Sequence, residues 1–527
     1  MKIRRGMLYQ YILPAIWAVI AVLLSFFTEK YFINATPMKV GYISSKLVYF
    51  VYIFFISKFL ISFILKIKEK DEFYKKWLSS FLKFLIPYVI ILSVAWPGYF
   101  SWDEFSTYQY TTWFQLDVWQ SILTSFFYIN NLYIFPSIGT IVVIQVLFMS
   151  FVVSWVCTKI EFEYKPLWMT QIFWFIIVFT PAIAISTLVT YRSTMIGILE
   201  LWICAILFFT VREKSMNIIK LLILALLTAL LSSWRIEGIY HLVIVTLFLI
   251  FFFWKTISKK YVIFFVVTTL SVFFLFNNLY SIFYGDPLTK MRYSLTSYLN
   301  PLTIMLTDRD ALIENKHLEA FNKVIDLDKA REMYAYYETP SFWNGAVNDS
   351  FSESDLTEFK KSFWSVAWRN KDVYLSARFR TMIASSGISN YGIYPRDTIN
   401  TYFQFPDEAI AKEEIVVNTL KNDLNKPFNL KMRKLSASFL KFTVDHPILF
   451  WNYIPVVLLL LIFLIRTFHI NNPLTWLTIM VLARLPILFV FEPGSYFMYY
   501  YPIFLSGILL LVLFILEFVH KKRSTHI

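Results

Sequence analysis

The chain is poor in the residues that build soluble catalytic motifs. Two cysteines, Cys157 and Cys204, occur in 527 residues. Both lie in or at the edge of apolar runs without ligand spacing, so neither a disulfide framework nor a thiolate metal site is implied. Glycine is scarce, with 12 residues, and no Gly-rich phosphate loop is present. The six histidines are scattered, with no H-E-x-x-H and no pair at metal spacing. Strand-like alternation, internal repeats and low-complexity tracts are also missing. Charged residues make up only 16% of the chain.

Apolar sequence fills the space. The chain is 58% hydrophobic and 20% aromatic, with a mean hydropathy of +0.58. Runs of ~20 apolar residues recur, each long enough to cross a bilayer as a helix. Backbone groups in lipid must be satisfied internally, so such runs are helices. The fold class expected is an all-α polytopic membrane protein with about 12 transmembrane helices. The spans are predicted near 7–27, 41–65, 78–97, 132–157 and 166–186, then a sixth that follows the turn containing Arg192 and ends at Val211, then 217–233, 239–254, 261–280, 447–466, 472–491 and 497–518. The first run is too long for a signal peptide core and reads as a retained span.

The net charge of +14 is no sign of nucleic-acid binding, because many Lys and Arg residues sit in short loops between spans. Lys2, Arg4 and Arg5 precede the first span, five lysines fall between Lys66 and Lys76, and the chain ends H-K-K-R-S-T-H-I. The positive-inside rule then gives an N-in/C-in topology. Residues 1–280 carry spans one to nine. Residues 281–446 break the apolar pattern and read as a mostly helical extracytoplasmic domain of sufficient size for its own core. Residues 447–527 carry the last three spans and a basic tail. Within the domain, 300–307, 355–370 and 413–424 have helical character.

On this count the unusual polar turns share the outer side. The first large external loop, 98–131, contains W-P-G-Y-F-S-W-D-E-F from Trp96 to Phe105. Asp103 lies just beyond the third span, where a carboxylate is solvated at little cost, and is the first candidate for a general base. Glu104 is the second. Trp96, Tyr99, Phe100, Trp102 and Phe105 suit an interfacial aromatic belt and would equally line a groove for a sugar or prenyl lipid. Arg192 and Arg235 each follow an apolar run on the outer side. They would snorkel to headgroups or clamp a phosphate, whose oxygens Arg matches bidentately. Glu237 is placed to pair with Arg235. Arg484 lies inside a span, where a charge needs a partner or a cavity; Glu492, about two turns on, is a conceivable partner. Tyr496, Tyr499, Tyr500 and Tyr501 are belt or site residues.

Taken together, these features resemble the GT-C class of integral-membrane glycosyltransferases, in the bacterial branch that includes Gram-positive envelope proteins. P-G-Y-F-S-W-D, from Pro97 to Asp103, is similar to the branch's P-G-x-x-x-x-D, and Gln109 matches a Gln that follows it. Tyr191-Arg192-Ser193 resembles a Lys-Asp turn in which Ser193 has lost the acid. Arg235 and Gly238 resemble an Arg-x-x-Gly turn. Residues 496–502 resemble an Arg-Tyr-x-x-Pro exit with Met498 in place of Arg. Asp117-Val118-Trp119-Gln120 resembles D-W-H-P without its His and Pro.

The resemblance implies an inverting transfer from a polyprenyl-phosphate-linked sugar to a cell-envelope glycan, with Asp103 as base. Arg192, Arg235 and Arg484 are then phosphate-binding residues, and Trp102, Gln109, Glu237 and Tyr499 complete the substrate site. A divalent cation such as Mg or Mn could assist at the phosphate, although no ligand cluster demands one. The expected partners are the lipid-linked donor, the glycan acceptor (a teichoic acid or wall polysaccharide) and membrane lipid, without nucleic acid. An O-antigen-type polymerase or ligase shares many spans, a large outer loop and external arginines. A transporter would show repeats and interrupted midplane helices.

Overall fold

A computed structural model describes residues 8–33, 39–100, 102–114, 121–165, 167–254, 259–283, 287–335, 339–388 and 430–524. The chain begins its membrane region with α1 (Leu13–Thr28), α2 (Lys39–Lys68) and α3 (Glu72–Val94). Two shorter helices follow, α4 (Trp102–Thr112) and α5 (Ile122–Ile134), and then the long α6 (Ile138–Tyr164). Next come α7 (Leu167–Phe179), α8 (Pro181–Thr187), α9 (Arg192–Glu213), α10 (Ile218–Trp234), α11 (Tyr240–Phe253) and α12 (Lys259–Phe283).

Nine helices among the described residues are long and apolar enough to cross a membrane, and the bent pair α7–α8 makes a tenth. All twelve expected segments lie on helices, but two of them are short. Helix α10 has 17 residues, and the helix at Ile454–Thr467 has 14. At ~1.5 Å per residue the second covers only about 21 Å of a ~30 Å hydrocarbon core. The α7–α8 pair bends by 64° because Pro181 supplies no N–H and forces Thr180 into an extended conformation. Side-chain caps start several helices: Asp71 for α3, Ser121 for α5, Ser137 for α6 and Asn217 for α10.

Burial orders the bundle from centre to rim. The apolar window of α9 is 89% buried, whereas that of α2 is 6% buried. Helix α9 packs directly on the last helix, and Gly197 is what permits it: a Cβ there would lie 2.8 Å from the Tyr501 ring. One end of the bundle is held by ion pairs. Lys76 meets Glu161 at 2.7 Å, Lys220 meets Glu213 at 2.5 Å and Arg212 meets Glu517 at 2.6 Å.

The polar domain sits at the other end. Its described helices of six residues or more are α13 (Pro287–Ser294), α14 (Thr296–Thr307), α15 (Asn315–Asn322), α16 (Leu327–Glu332), α17 (Glu353–Arg369) and α18 (Lys371–Ser385). Helices therefore occur at the expected 300–307 and 355–370, whereas 413–424 lies outside the described residues. Helix α17 begins with a capping box between Ser352 and Asp355. Leu299, Leu302, Phe321, Phe359, Phe363 and Val366 help form a core separate from that of the spans. The chain then continues through α19 (Leu430–Asp445), α20 (Ile454–Thr467), α21 (Pro473–Leu482), α22 (Arg484–Phe491) and α23 (Tyr501–Ser524).

Arg378 and Glu492 stitch the domain to the bundle. Fully buried Arg378 on α18 donates to the carbonyls of Phe489 (2.5 Å), Glu492 (2.9 Å) and Leu488 (3.2 Å). These carbonyls lie at the end of α22, where a helix runs out of N–H donors of its own; that of Leu488 also accepts from the Glu492 N–H at 2.8 Å. The Glu492 carboxylate accepts from Ser385 Oγ at 2.5 Å and from Tyr500 OH at 2.7 Å. Tyr500 stacks on Tyr453, with ring centroids 4.1 Å apart.

Candidate functional site

The site begins with the chain leaving α3. Gly98 has φ +121°, and a Cβ there would lie 2.7 Å from Val142 Cγ2 and 2.9 Å from the Leu188 carbonyl oxygen. Only glycine lets the backbone pass so close in that conformation. The next residue, Tyr99, donates its N–H to the Leu188 carbonyl at 3.0 Å and forms an isolated parallel bridge with Val189. Buried Gln145 reinforces the crossing by donating to the carbonyls of Thr187 (2.8 Å) and Val189 (2.7 Å). Helices α4 and α9 therefore start from one clamped point. Asp103 lies in the first turn of α4 and Arg192 is the first residue of α9.

The stretch expected as a loop is helical over Trp102–Thr112 and Ile122–Ile134. Glu104, Phe105, Thr107, Tyr108, Thr111 and Thr112 are buried at the spacing of one helix face. Four of these six residues are polar, so hydropathy conceals the face. Nor is Asp103 simply solvated, since it is half-buried in protein. Burial pushes its carboxyl above the usual range, and the nearby Arg192 and Arg235 charges pull it back only in part. Glu104 is buried, 3% exposed, on the inward face of α4.

Arg235 follows α10, and its guanidinium is firmly held. Glu237 takes it as a fork, at 3.0 Å to Nε and 2.7 Å to Nη2. Nη1 donates to Ser193 Oγ at 3.2 Å, so the first turn of α9 helps hold Arg235. The guanidinium carbon lies 4.9 Å from the centre of the Tyr499 ring. Gly238 folds this turn back on α10, where a Cβ would meet the Leu231 carbonyl oxygen at 2.6 Å. Tyr293, on α13 of the domain, is within electrostatic reach of both Arg235 and Tyr499.

Arg484 has a different partner from the one expected. Its Nη2 donates to Glu200 Oε2 on α9 at 3.2 Å. Glu492 is eight residues further along the chain, about 12 Å of helical rise, and its carboxylate is engaged by Ser385 and Tyr500. The same Glu200 oxygen lies 3.6 Å from His241 Nε2, while His241 Nδ1 faces the Gly238 carbonyl at 3.0 Å. A buried Glu–Arg–His cluster thus lies behind the Arg235 turn.

Asp103, Arg192, Arg235, Glu237 and Tyr499 are therefore brought together, with Arg484 behind them. Gln109 is not. It lies six residues after Asp103 on α4, roughly 120° around the helix. Trp102 opens α4, and its side chain lies outside the described residues, as does 117–120. Reading the sequence missed Glu200, His241, Tyr293 and Arg378. The rule that singles out Arg484, a charge inside an apolar run, applies equally to Glu200. Arg378 had no such signal.

Comparison with family models, curated proteins and solved structures yields no match. The site must be read from its own chemistry. It joins a half-buried acid to two guanidinium groups and an aromatic face at one end of the bundle, against the polar domain. Such a set can take a proton from a hydroxyl and stabilise an anion beside it. Among the described residues, no three His, Cys, Asp or Glu side chains converge as a metal site.

Proposed function

We propose that the protein is a glycosyltransferase of the cell membrane. It transfers a sugar from a polyprenyl-phosphate donor to an envelope glycan, as the GT-C resemblance implies. Both termini lie in the cytoplasm, and the domain end of the bundle faces the cell exterior. Asp103 takes the proton of an acceptor hydroxyl, which attacks the anomeric carbon as the bond to the donor phosphate breaks. The configuration inverts and the lipid phosphate leaves. A base with a raised pKa suits this step, because it binds the proton more strongly.

Arg192 opens a 22-residue helix, so its charge adds to the positive end of the helix dipole where the leaving phosphate would lie. Arg235, held by Glu237 and Ser193, contributes a fixed positive charge without reorganising. The prenyl tail lies between spans, and the domain holds the acceptor. The observation that carries this reading is the meeting of Asp103 with Arg192 and Arg235, drawn from three separate helix ends.

The test uses wild type and Asp103→Asn purified in detergent. Each is incubated with a panel of polyprenyl-phosphate sugars and a wall-glycan acceptor, and release of the free lipid phosphate is followed. Loss of the base should lower turnover by ~10²–10⁴. Equal turnover by the two proteins would remove Asp103 from the role. Absence of turnover on every donor would overturn the donor class.

A further inference from the structure

Helix α19 has three distinct faces. Ser436, Ala437, Leu440, Thr443 and Val444 are buried, within an arc of about 120° at 100° per residue. Leu435, Phe439 and Phe442 are 61%, 50% and 50% exposed and share an arc of about 60° beside it. Lys434, Ser438, Lys441 and Asp445 are exposed and fill the following arc of about 60°. A helix in bulk water would not keep an apolar face between a protein-facing and a charged one. A helix at the edge of a membrane protein meets protein, hydrocarbon and water in that order.

Its position agrees. Ala437, Leu440 and Val444 belong to the core of the spans and not to the core of the domain. Ser436 Oγ lies 2.6 Å from the hydroxyl of Tyr99, just beyond the end of α3, and Thr443 accepts from Trp451 Nε1 at 3.2 Å. The apolar face continues along the chain through exposed Ile448 and Leu449 to exposed Leu458, Leu459 and Ile462 of α20. The sequence of α19 carries Lys431, Arg433, Lys434 and Lys441 against one acid, Asp445. That imbalance favours an anionic surface.

We propose that α19 is an interfacial anchor, with Leu435, Phe439 and Phe442 entering the bilayer edge while Lys434 and Lys441 engage anionic phospholipid headgroups. The anchor stands independently of the glycosyl-transfer chemistry.

The test places one nitroxide label on the full chain. Cys157 and Cys204 are buried, so a single introduced cysteine takes the label. Phe439→Cys and Ser438→Cys are reconstituted in vesicles of phosphatidylcholine with phosphatidylglycerol, and in vesicles of phosphatidylcholine alone. Leu435→Cys replaces Phe439→Cys should that variant fail to fold. The label at 439 should collide more with oxygen than with a water-soluble nickel chelate, and the label at 438 should do the reverse. Adding Lys434→Glu and Lys441→Glu should reduce the contrast at 439 in phosphatidylglycerol vesicles to its level in pure phosphatidylcholine. Equal nickel access at 439 and 438 would overturn insertion. Shielding of 439 from both reagents would mean that protein covers the face, which also overturns it. A contrast indifferent to phosphatidylglycerol would overturn the role of the lysines.

Discussion

Replacing Glu492 with glutamine should flatten the protein's dependence on pH. The carboxyl is 1% exposed and joins Ser385 of the domain to Tyr500 of the last helix. Burial raises its pKa from 4.5 to about 7, against the opposing pull of Arg378 and the hydrogen bonds from Ser385, Tyr500 and the Tyr496 backbone. Tyr453, stacked on Tyr500, completes its surroundings. The folded protein thus holds this proton more tightly than the unfolded chain does. Stability is then greatest below pH 4.5, falls as pH rises through 4.5 to 7, and levels off above. At ~1.4 kcal/mol per pH unit, the full change is about 3 kcal/mol. Glutamine mimics the protonated acid at every pH and keeps partners for both hydroxyls.

Thermal unfolding of purified protein in one detergent, scanned from pH 4.5 to 8, reads this directly. The wild-type midpoint should fall across the range. Glu492→Gln should fall less and lie above wild type at pH 8. Asp103 is raised in the same direction, so a residual slope is expected. A variant with the full wild-type slope would refute the reasoning.

Arg484→Met leaves Glu200 buried without its cation and should cost ~3–5 kcal/mol, whereas adding Glu200→Leu should recover most of the loss; heat stability in detergent compares the three proteins. Gly98→Ala puts a methyl 2.7 Å from Val142 and 2.9 Å from a carbonyl, and should cost ~1–3 kcal/mol. Val142→Ala should restore only the share of that loss due to the Val142 clash, because the Leu188 carbonyl contact and the positive φ remain; melting of the double variant checks this.

The bundle was legible because span length is a local property. An apolar run such as 192–213 identifies itself, whatever it packs against. Helix α4 was hidden because Glu104, Thr107, Thr111 and Thr112 occupy its buried face, and a hydropathy reading takes such residues for a loop. The short helix α20 was read as a full span because apolar residues flank it. At the site, the sequence suggests a common side for Asp103, Arg192 and Arg235, but not that the two cations come within electrostatic reach of the acid. The meeting of Asp103 and Arg192 depends on the crossing of Tyr99 and Val189, clamped by Gln145, which has no repeating pattern. The partner of Arg484 was beyond local reading as well, since Glu200 lies 284 positions away. Glu237 was visible beside Arg235 because the two are neighbours in the chain.

The bridge between Tyr99 and Val189 also sets what kinds of sequence change the site can absorb. Asp103 follows the bridge by four residues and Arg192 by three. Both side chains are thus located by counting along short leads from one fixed point. Substitutions within those leads alter chemistry but leave the count intact. One inserted or deleted residue shifts the start of a helix by about 100° and turns the acid or the cation away from its counterpart. Between bridge and helix, descendants of this chain are therefore held to one length, and at buried Phe100 and Thr190 to side chains that still pack.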